Sequence, residues 1–240
     1  MTRVVLHDAV DGAALAAALA QDLAERLQRA VAARGQALLA VSGGSSPLRL
    51  FAALRSVALP WERVHLLLVD ERCVPPDHAD SNAALVRAQL LRDAAAAARW
   101  HPFFDALPEG FAARDGELDL LVQAAIRRLA QLPWPLDAAV LGMGEDGHTA
   151  SLFAGAPGLD AALANAGPVA WTRPLHAPHA RLTLTLPTLL GAACLALPLA
   201  GPAKRQVFER ACERPDPGLP ISLVVHGSAR PLQVWRSTQA

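Results

Sequence analysis

The chain has 240 residues, 52% of them hydrophobic, so it can bury a full core and is too apolar to be disordered. Its 22 basic and 22 acidic residues balance without any block of like charge. That excludes the electrostatic footprint of a long anionic partner such as DNA, but not a small anion held by a few cations in one pocket.

In chain order, Val4–Leu6 reads as a strand and residues 15–33 as a helix, with Leu15, Leu19, Leu23, Leu27 and Val31 at i+4 steps on one face. Ala37–Val41 is a continuous apolar strand running into Ser42-Gly43-Gly44-Ser45-Ser46-Pro47. Pro47 fits the first turn of a helix continuing through Leu54. Val64–Val69 is a second buried strand, ending in Asp70-Glu71-Arg72. A proline-rich loop follows, and Ser81 can cap a helix over 82–91. A short strand is expected at 100–104, a helix over 115–129 and a strand over 138–141. Residues 154–180 read as loop-rich, with Pro157, Pro168, Pro174 and Pro178. Then come a strand at 182–186, a helix near 187–193, a strand at 194–199 and a helix at 204–212, with closing strands at 221–225 and 232–235. Strands that are continuously apolar imply a sheet covered on both faces. The expectation is an α/β fold, a mostly parallel doubly wound sheet with helices on both faces, in one domain over residues 1–240.

Three cysteines, Cys73, Cys194 and Cys212, make no CxxC pair and no zinc pattern, and read as reduced thiols. Residues 1–8 carry no signal-peptide run, which points to a cytoplasmic protein. The longest apolar stretch, 189–203, is broken by Gly191, Pro198, Gly201 and Pro202 and is too short to span a bilayer. Arginine supplies 21 of the basic residues and lysine one, Lys204, which singles that ammonium out.

Ligands of open parallel sheets bind beyond the carboxyl ends of the strands, and three strands here end in chemically suggestive segments. Ser42-Gly43-Gly44-Ser45-Ser46 offers backbone N–H groups, hydroxyls and a helix N-terminus, the means of holding a phosphate with little formal charge. Asp70-Glu71-Arg72 puts three charges at the end of a buried strand, with Arg72 able to grip a carboxylate, hydroxyl or developing oxyanion. Gly142-Met143-Gly144-Glu145-Asp146-Gly147-His148 fits a GxGxxG pattern. A dinucleotide site would then need a long helix and, about 20 residues on, a strand ending in an acid. Gly155, Pro157 and Gly158 interrupt any helix leading to Asp160. A histidine in a Gly-rich turn beside two acids reads better as an oriented general base. The other histidines are scattered, with no HExxH or HxH spacing, so no metal is expected. No GxSxG elbow occurs either.

These segments, in this order, resemble the 6-phosphogluconolactonase family: Ser42 to Pro47; Asp70 to Pro75 with Ser81-Asn82; Gly142 to Phe153; Arg181 to Pro187; and Gly201-Pro202-Ala203-Lys204. The resemblance spans nearly the whole chain. It departs at Ser46, where threonine is expected, and at Ala154, where proline is expected. It implies hydrolysis of 6-phospho-D-glucono-1,5-lactone without metal or organic cofactor, by a monomer or weak homodimer. The partner is a small sugar-phosphate lactone, not nucleic acid or membrane. In that reading His148 is the base, Asp146 or Glu145 orients it, and Arg72 steadies the ring oxygens or the oxyanion. Asp70, Ser42, Gly43, Gly44, Ser45, Ser46, Arg181 and Lys204 bind the substrate and its phosphate. Glucosamine-6-phosphate deaminases are similar at the phosphate loop and at Asp-Gly-His. They would carry Asn-Glu-Pro soon after the histidine and Asp-Glu-Tyr at 70–72. This chain has Ser151-Leu152-Phe153-Ala154-Gly155 after the histidine, and no tyrosine.

Overall fold

The computed structural model describes residues 3–44, 46–164 and 167–237. The elements, in order, are β1 (Val4–Ala9), α1 (Gly12–Arg34), β2 (Ala37–Val41), α2 (Leu48–Arg55), β3 (Val64–Leu68), β4 (Asp70–Arg72), α3 (Asn82–Gln89), β5 (Arg99–His101) and α4 (Asp115–Leu129). They continue with β6 (Ala138–Val140), α5 (Leu159–Ala164), β7 (Val169–Thr172), β8 (Arg181–Leu184), α6 (Leu186–Leu190), β9 (Leu195–Leu199), α7 (Pro202–Glu213), α8 (Pro220–Gly227) and β10 (Leu232–Ser237).

Seven strands form a parallel sheet in the order β1-β10-β9-β6-β2-β3-β5. Every residue of β2, β3 and β6 is buried, as continuous apolar runs require of strands covered on both faces. α1 shows how the helices are specified. The Asp11 carboxylate accepts from the Ala13 and Ala14 N–H groups at its start, and Gly35 ends it in the left-handed conformation. The stripe Leu15, Leu19, Leu23 and Leu27 is buried between. Burying one such leucine contributes about 1.5–3 kcal/mol.

The chain runs outward from β2 through β3 to β5. It then returns to β6 on the other side of β2 and runs outward again through β9 to β10. The reversal between β2 and β6 is the switch point at which a doubly wound sheet opens a crevice.

A second sheet, antiparallel and of order β4-β8-β7, is joined to the first through Val69. Its N–H donates to Val41 O of β2, and its carbonyl accepts from Leu184 N at the end of β8.

Three expectations need correction. Residues 221–225 are not a strand but part of α8: an apolar run this short fits either period, and Pro220 in the first turn presets helical φ. Ile221, Val224 and Val225 are buried at helical spacing. Residues 154–180 are less irregular than their prolines suggest, since they hold α5 and β7. Asp70-Glu71-Arg72, expected as the end of the Val64–Val69 strand, is a short strand of its own in the second sheet, paired with β8.

Candidate active site

At the switch point, the segments after β2 and β6 lie side by side, Ser42 N donating to Val140 O. They line a cavity of about 220 Å³ with Asp70, Arg72, Asn82, Ala150, Arg181 and Lys204. Ser42, Gly43, Gly44, Ser46, Asp70, Arg72, His148, Arg181 and Lys204 are therefore brought together, from both sheets and the first turn of α7. Ser45 lies outside the described residues. Asp146 reaches the cavity through His148, and Glu145 is not among the lining residues.

The His148 loop is a built turn. Gly144 N donates to His148 O, Gly147 N donates to Gly144 O, and Met143 and Thr149 bridge its neck. Asp146 Oδ1 lies 2.6 Å from His148 Nδ1 and also accepts the His148 N–H, which fixes the ring and leaves Nε2 on the far side from the carboxylate. That hydrogen bond is the main reason the Asp146 carboxyl is held below its ordinary pKa. One face of the imidazole stacks on Phe153, with centroids 4.2 Å apart. Only glycine fits at 144, because a Cβ there would meet His148 Nδ1 at 2.2 Å and Asp146 Oδ1 at 2.3 Å. The start of α8 supports the turn from outside: Ile221 N donates to Gly147 O.

The glycine-rich segment after β2 is equally close-fitted. A Cβ on Gly43 would meet Asn82 Oδ1 at 1.9 Å, so glycine here lets α3 approach. Asn82 is held by its side-chain amide donating to Asp70 O.

The three charges at 70–72 divide their work. Glu71 is buried and structural. Its carboxylate accepts from the N–H groups of Arg72, Asn82 and Ala83 and from the Ser81 hydroxyl, pinning the start of α3 to β4. Burial pushes its carboxyl pKa up, against the pull of those backbone donors. Asp70 accepts from the Ser151 hydroxyl at 2.6 Å and sits 3.7 Å from Arg181 Nη1. Arg72 donates to Asp80 O. Arg181 is 7% exposed, lies over the Phe153 ring, and has its pKa lowered chiefly by burial. The Nε groups of Arg72 and Arg181 are both buried and lack partners among the described residues.

Groups of these kinds have the chemistry to bind an anion, to act as an oriented base and to offset a developing negative charge. Nearby Cys73 is no nucleophile, since burial pushes its thiol up to about 12. Sequence reasoning missed the roles of Phe153, Asn82 and Ile221. Only Asn82 has a local signal, as the first helical residue after a capping serine. The other two act through contacts no spacing reveals.

The family model for glucosamine-6-phosphate isomerases/6-phosphogluconolactonase matches residues 10–234. The chain belongs to this family. Within the glucosamine-6-phosphate isomerase/6-phosphogluconolactonase family it is 46% identical over 226 residues to a 6-phosphogluconolactonase of Mesorhizobium japonicum, covering 92% of this chain and 90% of the relative. It is 42% identical to a 6-phosphogluconolactonase of Pseudomonas putida, over 97% of this chain and 92% of the other. The crystal structure of a 6-phosphogluconolactonase from Shewanella baltica superposes with a TM-score of 0.90 at 37% identity, over 98% of both chains. A monomeric glucosamine-6-phosphate deaminase shares the family fold, with a TM-score of 0.76 at 14% identity. No helix among the described residues is long and apolar enough to cross a membrane.

Proposed function

We propose that the chain hydrolyses 6-phospho-D-glucono-1,5-lactone to 6-phosphogluconate, the lactone-opening step of the oxidative pentose phosphate pathway. The observation that carries this reading is the 2.6 Å contact between Asp146 and His148 Nδ1, which leaves Nε2 as the base in a cavity rimmed by cations. In this scheme His148 Nε2 removes a proton from water as its oxygen attacks C1. The carbonyl electrons move onto oxygen, and Arg72 stabilises that oxyanion. When the carbonyl re-forms, the bond between C1 and the ring oxygen breaks, and the imidazolium returns its proton to that oxygen. Asp146 keeps the tautomer and offsets the imidazolium charge.

The Ser42–Ser46 loop, Arg181 and Lys204 hold the phosphate, and Asp70 fixes Arg181. Remote phosphate binding thereby positions C1 against the base. General-base assistance contributes roughly 10²–10⁴-fold. Side chains and water suffice for each step.

The test is the rate of loss of freshly made lactone near neutral pH, with native protein, His148→Ala and an enzyme-free blank run together. Native protein should far outpace both. A native rate equal to the blank would sink the lactonase reading, and a His148→Ala rate near native would remove His148 as the base.

A further inference from the structure

The sequence scatters His78, Asp80 and His179, but the fold gathers them. His78 and Asp80 lie on the loop after β4, and His179 lies just before β8. Their candidate ligand atoms all fall within 4.8 Å of one another. His179 Nε2 is 3.0 Å and His78 Nδ1 3.8 Å from the same oxygen, Asp80 Oδ2. The two imidazoles meet edge to face, with centroids 5.6 Å apart. His179 is brought there by a left-handed backbone, φ 68°, which few non-glycine residues adopt.

We propose that His78, Asp80 and His179 form a binding site for a divalent zinc-class metal ion on the loops next to Arg72 and Arg181, outside the lining of the His148 cavity. Zinc held at about 2.0–2.1 Å in a tetrahedron places its donors roughly 3.3 Å apart. The two separations measured to Asp80 Oδ2 bracket that spacing. Two imidazoles and one carboxylate select zinc, cobalt or nickel over magnesium or calcium, whose preferred ligands are all oxygen. The fourth position is left to water or an anion. Binding replaces two contacts, the hydrogen bond between His179 and Asp80 and the Asp80 N–H on His78 Nδ1. That cost, with only three protein ligands, makes binding weaker than in four-ligand structural sites.

The location gives the ion a consequence. Asp80 O receives the Arg72 guanidinium, and Pro178 O receives that of Arg181. An ion on Asp80 and His179 therefore clips together the two loops whose carbonyls seat both arginines.

The proposal stands apart from the lactone reading, because its readout needs no substrate. Chelator-stripped native chain is titrated calorimetrically with zinc chloride, beside His179→Ala, Asp80→Asn and His148→Ala, and each variant's fold is checked by circular dichroism. The expected result is one zinc per native chain, affinity reduced tenfold or more in His179→Ala and in Asp80→Asn, and affinity unchanged in His148→Ala. Zinc should also raise the melting temperature of native protein but not of His179→Ala. The proposal is overturned by no retained zinc at saturating excess, by uptake that survives both His179→Ala and Asp80→Asn, by uptake lost in His148→Ala, or by equal binding of magnesium.

Discussion

Arg72 and Arg181 are direct cross-strand partners in the antiparallel pairing of β4 with β8. Like charges placed opposite one another are unfavourable in a sheet. Asp70, 3.7 Å from Arg181, offsets one of them, and both buried Nε groups lack protein partners among the described residues. An anionic ligand would offset this like-charge pairing. The product 6-phosphogluconate is thus expected to raise the melting temperature, and Arg72→Gln and Arg181→Gln each to weaken its binding about tenfold to a hundredfold. Calorimetric titration decides, and unchanged affinity in both variants counts against the cationic rim.

Lys204 sits in the first turn of α7 and lines the same cavity as that pair. If it holds the phosphate, Lys204→Ala should raise KM for the phosphorylated lactone about tenfold or more. KM for unphosphorylated glucono-1,5-lactone should stay where it is. An equal rise for both substrates would mean that Lys204 acts on the sugar or on the fold.

Gly144→Ala is expected to behave as a catalytic lesion. Its Cβ would occupy the space of the contact between His148 and Asp146, so the imidazole must move. kcat should fall about a hundredfold, close to the loss expected for His148→Ala, with product affinity kept. Near-normal kcat would show that the ring need not stay where Asp146 holds it.

The parallel sheet was legible because its strands are buried on both faces and therefore read as unbroken apolar runs. The β2 and α4 boundaries come out as expected from such patterns. The small antiparallel sheet was not legible. β4 is three charged residues, and its partner lies more than a hundred positions away, so neither hydropathy nor local turn chemistry announces it. The same separation hid the pairing of Arg72 with Arg181 and the gathering of His78, Asp80 and His179. The His148 turn was readable as chemistry, but choosing between Glu145 and Asp146 required the backbone path.

Glu71 provides a stability test separate from catalysis. Glu71→Gln keeps the shape but turns an amide toward backbone N–H groups that now share a carboxylate. Leaving one or two buried donors unpaired costs about 1–3 kcal/mol. Urea denaturation should show that loss, and a midpoint equal to native would mean α3 is anchored elsewhere.

His65 and His101 give stability a pH dependence. Their rings stack, His65 Nδ1 lies 3.0 Å from His101 Nε2, and burial foremost, then the neighbouring His65, Arg128 and Arg99, lowers the His101 pKa to about 4. The unfolded chain, with histidine near 6.5, binds more protons between these values, so stability rises with pH across that window. It is fully present above about 6.5 and lost as pH falls toward 4. His101→Asn should flatten this part of a plot of melting temperature against pH, and an unaltered slope would assign the acid sensitivity to other groups.

Val69 bonds forward to β8 and sideways to β2, leaving a single residue between β3 and β4. The two sheets therefore share one continuous backbone seam, and rocking one against the other would rupture ladder hydrogen bonds on both sides. The seam thus ties β4 and β8, which carry Arg72 and Arg181, directly to the edge of β2 from which the Ser42 loop departs.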